Sequence, residues 1–380
     1  MGYLQLEGLS RMTMTSSIYA PVKTGSVINQ DFEVELIDHL AAAIARAGVR
    51  VDRIGVANFY VTLKHRPMAI LTGSAGTGKA VLVECLAKML AGSGPQRQVV
   101  PGHAWYAGGP PANTALIGIH SRMITEKLLC VIEAASQPEN AQQVFVVGLT
   151  HISPAELLSF FADIAYQMPH NRIMRLGDAH LSTPVPFPPN LLLIGTMDTM
   201  DFNWWDEDLL SEATIVDWHA EVGFPQATIP SKSQNLGHKF LSSRLRNSRR
   251  AYEKLLSVVA GTKQPLQAVM LVRNVFRTHG FEFPPALLDE VILYLANAWS
   301  VQGNSLFDPS TFCNLATASD LAVAQLVLPR SLEAIRSSET LQAQLYSILE
   351  EHLPRSSAFL HRQCEGYTSL IHRKEFEKYS

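Results

Sequence analysis

Gly73-Ser74-Ala75-Gly76-Thr77-Gly78-Lys79-Ala80 has the order of a phosphate-binding loop and departs from that pattern at its last position. The apolar run 68–71 before the loop predicts a buried strand, and the apolar spacing of 81–90 after it predicts a helix. Glycine allows backbone N–H groups to approach phosphate oxygens, and the lysine and the helix N-terminus both favour an anion. The sequence therefore predicts that the eight residues bind a nucleoside triphosphate. The alternative is a glycine-rich turn that binds nothing.

Ala80 removes one expected function of the loop. A serine or threonine normally follows the lysine, and its hydroxyl holds magnesium. The methyl group of Ala80 cannot coordinate a metal.

Short apolar segments alternate with helical patterns in the first part of the chain. Further strands are expected at 97–100, 144–147 and 190–196, with helices at 32–47, 123–135 and 154–167 between and before them. This alternation predicts a parallel sheet covered by helices on both faces, with ligands at the carboxyl ends of its strands. From Ala251 onward the pattern is helical, interrupted by turns near Pro284 and Pro309.

Composition narrows the function classes. The chain has 380 residues and a net charge of −3, which argues against a protein that grips nucleic acid through bulk positive charge. The four cysteines have no metal-ligand or redox spacing, and no apolar run approaches the roughly 20 residues of a membrane span. We expect a cytoplasmic protein without membrane segments.

Several segments in a fixed order resemble the McrB-like branch of the AAA+ ATPases. The resemblance covers roughly residues 35 to 350, and besides the phosphate loop it rests on Ala57-Asn58-Phe59-Tyr60-Val61-Thr62-Leu63-Lys64, Ala115-Leu116-Ile117-Gly118, Pro188-Pro189-Asn190-Leu191 with Ile194-Gly195-Thr196-Met197, and Leu326-Val327-Leu328-Pro329-Arg330. It implies a three-layer α/β P-loop AAA+ domain at 31–225 and a helical lid with C-terminal helices at 251–380. Composition predicts an N-terminal tail at 1–30, rich in Ser, Thr and Met, and a polar, basic linker at 226–250. The resemblance also implies ring formation, with the nucleotide pocket between subunits.

The family's hydrolytic residues are absent when carried over position by position. The acidic pair that should end the strand 144–147 is Gly148 and Leu149, and the polar residue two places later is His151. The sensor asparagine is replaced by Asp198, and the arginine presented to the neighbouring subunit is replaced by Glu212. Losing an arginine finger alone costs roughly 10³ to 10⁵ in rate, so the resemblance implies little or no turnover.

Three residues are candidates for the missing roles. Asp198 is the candidate metal ligand and a candidate catalytic residue, and His151 is a candidate base; the alternative is that both are ordinary loop residues. Arg330 is a candidate for contacting the terminal phosphate from the helical lid, and the alternative is a salt bridge at a helix start.

Other features admit two interpretations each. The aromatic loop with His103, Trp105 and Tyr106 could grip a partner or fill the core, and Trp204-Trp205 could form a partner-binding knob or a packed pair. The basic run near 244–250 could touch nucleic acid or phosphate, although a solvated face is the ordinary interpretation.

The sequence thus predicts a degenerate AAA+ protein that binds ATP or GTP, with magnesium ligation in doubt. It would regulate or scaffold an assembly of identical or related AAA+ subunits, with a nuclease or another effector as a possible partner class. One alternative is an active ATPase or GTPase motor, for example in DNA restriction or defence, with metal ligation rearranged through Asp198. Another is a protein-interaction module with an empty pocket.

Overall fold

A five-stranded parallel sheet forms the centre of the molecule. The computed structural model describes residues 31–92, 96–101, 117–150, 154–170, 173–176, 179–197, 207–222, 236–260 and 266–364. The sheet has the order β3-β4-β7-β2-β8, and all four neighbouring pairs are parallel. Its strands are β2 (Met68–Thr72), β3 (Arg97–Pro101), β4 (Phe145–Thr150), β7 (Leu191–Thr196) and β8 (Ala213–Asp217).

Two small antiparallel pairs accompany this sheet. β1 (Val49–Arg50) pairs with β9 (Glu221–Val222), and β5 (Ile173–Leu176) pairs with β6 (Ala179–Val185). Neither pair is predicted by the sequence pattern, and β8 is also missed. The β8 segment begins directly after the helix that ends at Glu212, so no turn residues mark the start of a strand there.

Helices cover the sheet and make up the C-terminal part. The first six are α1 (Phe32–Arg46), α2 (Arg53–His65), α3 (Lys79–Ala91), α4 (Ile117–Ser136), α5 (Pro154–Gln167) and α6 (Glu207–Glu212). They are followed by α7 (Gly237–Ser243), α8 (Ser248–Val258), α9 (Gln267–Thr278), α10 (Pro285–Asn297), α11 (Thr311–Ala322), a π turn (Val323–Val327), α12 (Leu328–Ser337), α13 (Glu339–His352) and a helical segment at 354–364.

Each face of the sheet has its own hydrophobic core, because successive side chains of a strand point to opposite faces. On β2, Met68 and Ile70 belong to the core formed with α4 and α5, whereas Ala69 and Leu71 belong to the core formed with α1, α2 and α3. The predicted α/β architecture with a parallel sheet and helices on both faces is therefore confirmed.

The C-terminal helices share the second of these cores. Buried residues of α8 through α13 join the cluster that contains α1, α2 and α3, and α10 packs against α2. Residues 251–258 and 267–364 are mainly helical, as predicted, with non-helical segments at 279–284 and 298–310. The helical part is thus fixed to one face of the sheet by a common core.

Part of the expected linker is ordered structure. Within 226–250, the structure describes 236–250, which contains α7 and the start of α8. Phe240 of α7 is fully buried and packs edge-on against Tyr60. The segment is polar overall, so the sequence pattern did not indicate that Phe240 would be buried and hold it against the rest of the protein.

One continuous helical segment passes the length and composition test for a membrane span, which the sequence interpretation did not expect. It runs from Thr311 to Ser337 among the described residues, and 72% of its apolar window is buried inside the protein. This burial is typical of the core helix of a globular protein.

Candidate functional site

The predicted phosphate-binding loop follows the carboxyl end of β2, between β7 and β8. β2 ends at Thr72 and α3 begins at Lys79, with Gly78 as its N-cap residue in the left-handed conformation. α3 has 13 residues, so its first turn presents N–H groups without helical partners. The strand, loop and helix therefore have the order and placement that phosphate binding requires.

Glycine is required at two positions of this loop by close approaches of other groups. At Gly73 the φ angle is +146°, and a Cβ would lie 2.3 Å from the backbone oxygen of Trp218. At Gly78 the φ angle is +77°, and a Cβ would lie 2.4 Å from a methyl carbon of Val49. A Cβ at Gly76, between them, would meet nothing within 4 Å. The loop is thus held tightly at both ends and open at its middle, which leaves room for a ligand to reach the backbone.

The side chain of Lys79 crosses the inside of the loop. Its ammonium group donates to the carbonyl oxygens of Gly73 at 3.1 Å and Ser74 at 2.7 Å, and lies 3.4 Å from the hydroxyl oxygen of Thr77. These three acceptors are neutral oxygens of the loop itself. A bound phosphate would compete for one of these hydrogens, and the long contact to Thr77 is the weakest of the three.

Trp218, which the sequence analysis did not identify, stabilises the loop through hydrogen bonds. It directly follows β8 and is 1% exposed. Its backbone N–H donates to Thr72 at 2.8 Å, and its indole N–H donates to the carbonyl oxygen of Thr77 at 2.9 Å. The residue lies far from the loop in sequence, and a single tryptophan after a short strand gives no signal of this contact.

The positions that should carry acidic residues lie inside β4. Gly148 and Leu149 pair with Ile194 and Gly195 of β7, and Leu149 is fully buried. Neither residue has a side chain that can hold a metal or orient water. Gly148, Leu149 and Ala80 therefore supply no side-chain ligand for magnesium.

Two candidates of the sequence interpretation, Asp198 and His151, lie outside the described residues. The same holds for the aromatic loop with His103, Trp105 and Tyr106, for Trp204-Trp205, and for the N-terminal tail 1–30. In the part of the chain that is described, no three or more His, Cys, Asp or Glu residues group together as a metal site. Magnesium needs no such group, because it commonly takes one or two carboxylates with phosphate oxygens and waters.

Arg330 does not reach the phosphate loop of its own chain, which corrects its assignment as a nucleotide-binding residue there. It donates to the carbonyl oxygen of Leu210 at 2.7 Å and forms a 3.0 Å ion pair with Glu290. Leu210 lies just before the amino end of β8, whereas the loop follows the carboxyl end of β2. Five strand residues separate the two ends of β2, a distance of roughly 16 Å. The structure thus shows the salt bridge of the alternative interpretation, at the amino end of the sheet.

Glu290 also binds a second arginine at this amino end. Arg66, just before β2, forms an ion pair with Glu290 and donates to the carbonyl oxygens of Leu210 at 2.9 Å and Ala213 at 3.2 Å. The Arg66 side chain is 8% exposed. We call Arg66, Glu212, Glu290 and Arg330 the amino-end charge cluster.

Glu212, at the position where the resemblance implies an arginine, belongs to this cluster. Burial raises its pKa and Glu290 raises it further, while the positive charges of Arg66 and Arg330 lower it. The carboxylate is thus placed among positive groups of its own chain.

The basic run 244–250 divides into two kinds of residue. Arg244 donates to the carbonyl oxygens of Lys64 at 3.1 Å and Pro189 at 2.9 Å, and Arg246 donates to Pro189 at 2.7 Å. Arg249 is 88% exposed and pairs with Glu253. The solvated-face interpretation describes Arg249 and Arg250, whereas Arg244 and Arg246 bind the end of α2 and the segment before β7.

No protein-family model matches this chain, and no curated protein matches it. The resemblance to the McrB-like branch consequently rests on the residues quoted above.

Proposed function

We propose that this chain is a P-loop nucleotide-binding protein of the AAA+ type that binds ATP or GTP and hydrolyses it slowly or not at all. The observation that carries the proposal is the loop 73–80. Its ends need glycine, its lysine lies inside the turn, and it joins a central parallel strand to the start of a long helix. That combination supports triphosphate binding through backbone N–H groups and one ammonium group.

Slow turnover follows from the side chains that accompany the loop. Phosphoryl transfer depends on positioning and charge neutralisation. Ala80, Gly148 and Leu149 contribute no ligand for magnesium and no group to orient water. Binding depends less on these positions, because the loop backbone and Lys79 contact phosphate directly.

We propose that the bound nucleotide organises an assembly. In this proposal the chain is a cytoplasmic subunit that regulates or scaffolds an oligomer of identical or related AAA+ subunits, with a nuclease or another effector as the partner class. The charge of −3 supports protein partners over nucleic acid.

The test is a titration of the purified chain with ATP and with GTP, each with and without magnesium, followed by phosphate-release assays. Lys79→Met should weaken binding by about 10-fold to 100-fold, because a charged hydrogen bond contributes about 1.5–3 kcal/mol. Lys88→Met is the matched control: Lys88 lies on the same helix and pairs with Glu84, so affinity should stay at the wild-type value.

Two results would contradict the proposal in different ways. Absence of binding to either nucleotide would refute the role of the loop. Rapid, metal-dependent phosphate release that Lys79→Met abolishes would support an active enzyme instead.

A further inference from the structure

Trp218 contacts the phosphate loop near both of its ends. Its backbone N–H donates to Thr72, the residue before the loop, and its carbonyl oxygen occupies the space where a side chain on residue 73 would begin. Its indole N–H donates to Thr77, near the other end of the loop. One buried residue thereby fixes the two ends of the turn relative to β8.

The indole contact also orients an amide of the loop. The described peptide bonds are all trans, and in a planar trans peptide the C=O and the following N–H point in opposite directions. Because the indole holds the Thr77 carbonyl on its own side, the Gly78 N–H is directed to the opposite side of the loop. The same N–H lies at the N-terminus of α3, where helix N–H groups bind anions.

We propose that Trp218 is a positioning residue for phosphate binding: it sets the direction of the Gly78 N–H through Thr77 and does not itself touch the nucleotide. This inference rests on the proposed function for its effect on affinity. Its effect on the loop is a property of the free protein and can be measured without nucleotide.

The ordinary alternative is that Trp218 serves the hydrophobic core alone. Its ring also lies near Gly55, where a Cβ would be 3.8 Å from the indole, and the residue belongs to the core shared with the C-terminal helices. A core role predicts loss of stability without a specific change in the loop. The two roles therefore differ in what happens to Gly78.

The experiment compares Trp218→Phe with Trp299→Phe. Both tryptophans are 1% exposed and belong to the same core, so the two variants lose the same atoms from similar surroundings. In the free protein, Trp218→Phe should lower the NMR order parameter of the Gly78 amide from about 0.85 toward 0.6 and shift its nitrogen resonance. Trp299→Phe should leave both unchanged.

The second measurement is the affinity of each variant for ATP and for GTP. Loss of one hydrogen bond that preorganises the loop should raise Kd about fivefold in Trp218→Phe, with no change in Trp299→Phe. Replacing Trp218 with 3-benzothienylalanine, which keeps the ring size and lacks the N–H donor, should give the same result if the phenylalanine variant does not fold.

Each outcome is informative. Unchanged Gly78 signals, or unchanged affinity in a wild-type protein that binds nucleotide, would overturn the positioning role and leave the proposed function standing. Altered Gly78 signals in a chain that binds neither nucleotide would support the positioning of the loop and refute the proposed function.

Discussion

The two ends of strand β2 differ in how charge is arranged around them. At the amino end, the amino-end charge cluster brings two arginines onto Glu290, with Glu212 nearby. At the carboxyl end, Lys79 contacts three neutral oxygens of the loop, and glycine backbone borders the space beside it. At the amino end one carboxylate is shared by two arginines. At the carboxyl end the loop offers backbone N–H groups and Lys79, beside the ion pair of Asp217 with Arg362.

The two ends of β2 are therefore expected to contribute differently to folding stability and to nucleotide binding. Arginines that are already bound to a carboxylate and to backbone carbonyls hold α6, α10 and α12 together at the start of the sheet. The loop at the other end contributes N–H groups and Lys79, which are suited to a phosphate anion. Changes at the amino end should therefore alter folding, and changes at the carboxyl end should alter nucleotide affinity.

The largest effect is expected from Glu290→Gln, which removes the shared carboxylate and leaves Arg66 and Arg330 facing each other. Breaking a buried ion pair from one side costs about 3–5 kcal/mol. We expect a value near the lower limit, because the Glu290 side chain is 23% exposed. Urea unfolding monitored by circular dichroism measures the loss.

Glu253→Gln is the control for this change, since its partner Arg249 is 88% exposed. A surface pair contributes about 0.5 kcal/mol or less. If Glu290→Gln cost no more than Glu253→Gln, the amino-end charge cluster would have no role in stability. Where Glu290→Gln remains folded, its nucleotide affinity should equal that of the wild type.

Gly73→Ala tests the carboxyl end by adding one methyl group. The new Cβ would lie 2.3 Å from the Trp218 oxygen at a φ of +146°, so the loop or β8 must shift. We expect a loss of about 1–3 kcal/mol in unfolding free energy together with loss of nucleotide binding. Calorimetric titration and thermal unfolding report the two effects.

Gly76→Ala separates crowding from backbone conformation. It shares a positive φ, +76°, but its Cβ would have open space around it, so the expected destabilisation is about 1 kcal/mol from the left-handed conformation alone. Equal destabilisation by the two substitutions would mean that the contact with Trp218 does not constrain the loop.

Sequence information was sufficient where the structure depends on contiguous residues. The loop 73–80 with its flanking strand and helix is one local unit of glycine, lysine and apolar periodicity, and its placement follows from the chain itself. The four predicted strands were found for the same reason. Local pattern also predicted the helices after Ala251.

The sequence did not reveal contacts between distant segments. Arg330 was assigned to the phosphate by resemblance, yet its position is decided by Glu290 on another helix and by the chain before β8. Trp218 was overlooked because its partner Thr77 is 141 residues away. Contacts of this kind are created by tertiary packing, and no spacing in the sequence encodes them.

An effect as small as that of Gly76→Ala is expected from His65, which is buried next to the amino-end charge cluster. Burial lowers its pKa well below 6.5, and the positive charges of Arg66, Arg244 and Arg330 lower it further. Below about pH 6.5 the unfolded chain binds a proton that folded His65 does not, so stability should fall as pH decreases from that value. From pH 6.5 to 5.5 this one group should reduce the unfolding free energy by about 1 kcal/mol.

Urea unfolding of the wild type and of His65→Phe at the two pH values measures this contribution. Phenylalanine keeps a ring against Tyr294, which His65 meets edge-on at 6.0 Å, and it cannot bind a proton. His65→Phe should therefore lose about 1 kcal/mol less than the wild type on acidification. If His65→Phe and the wild type lost the same free energy, His65 would not be the buried neutral base that its surroundings predict.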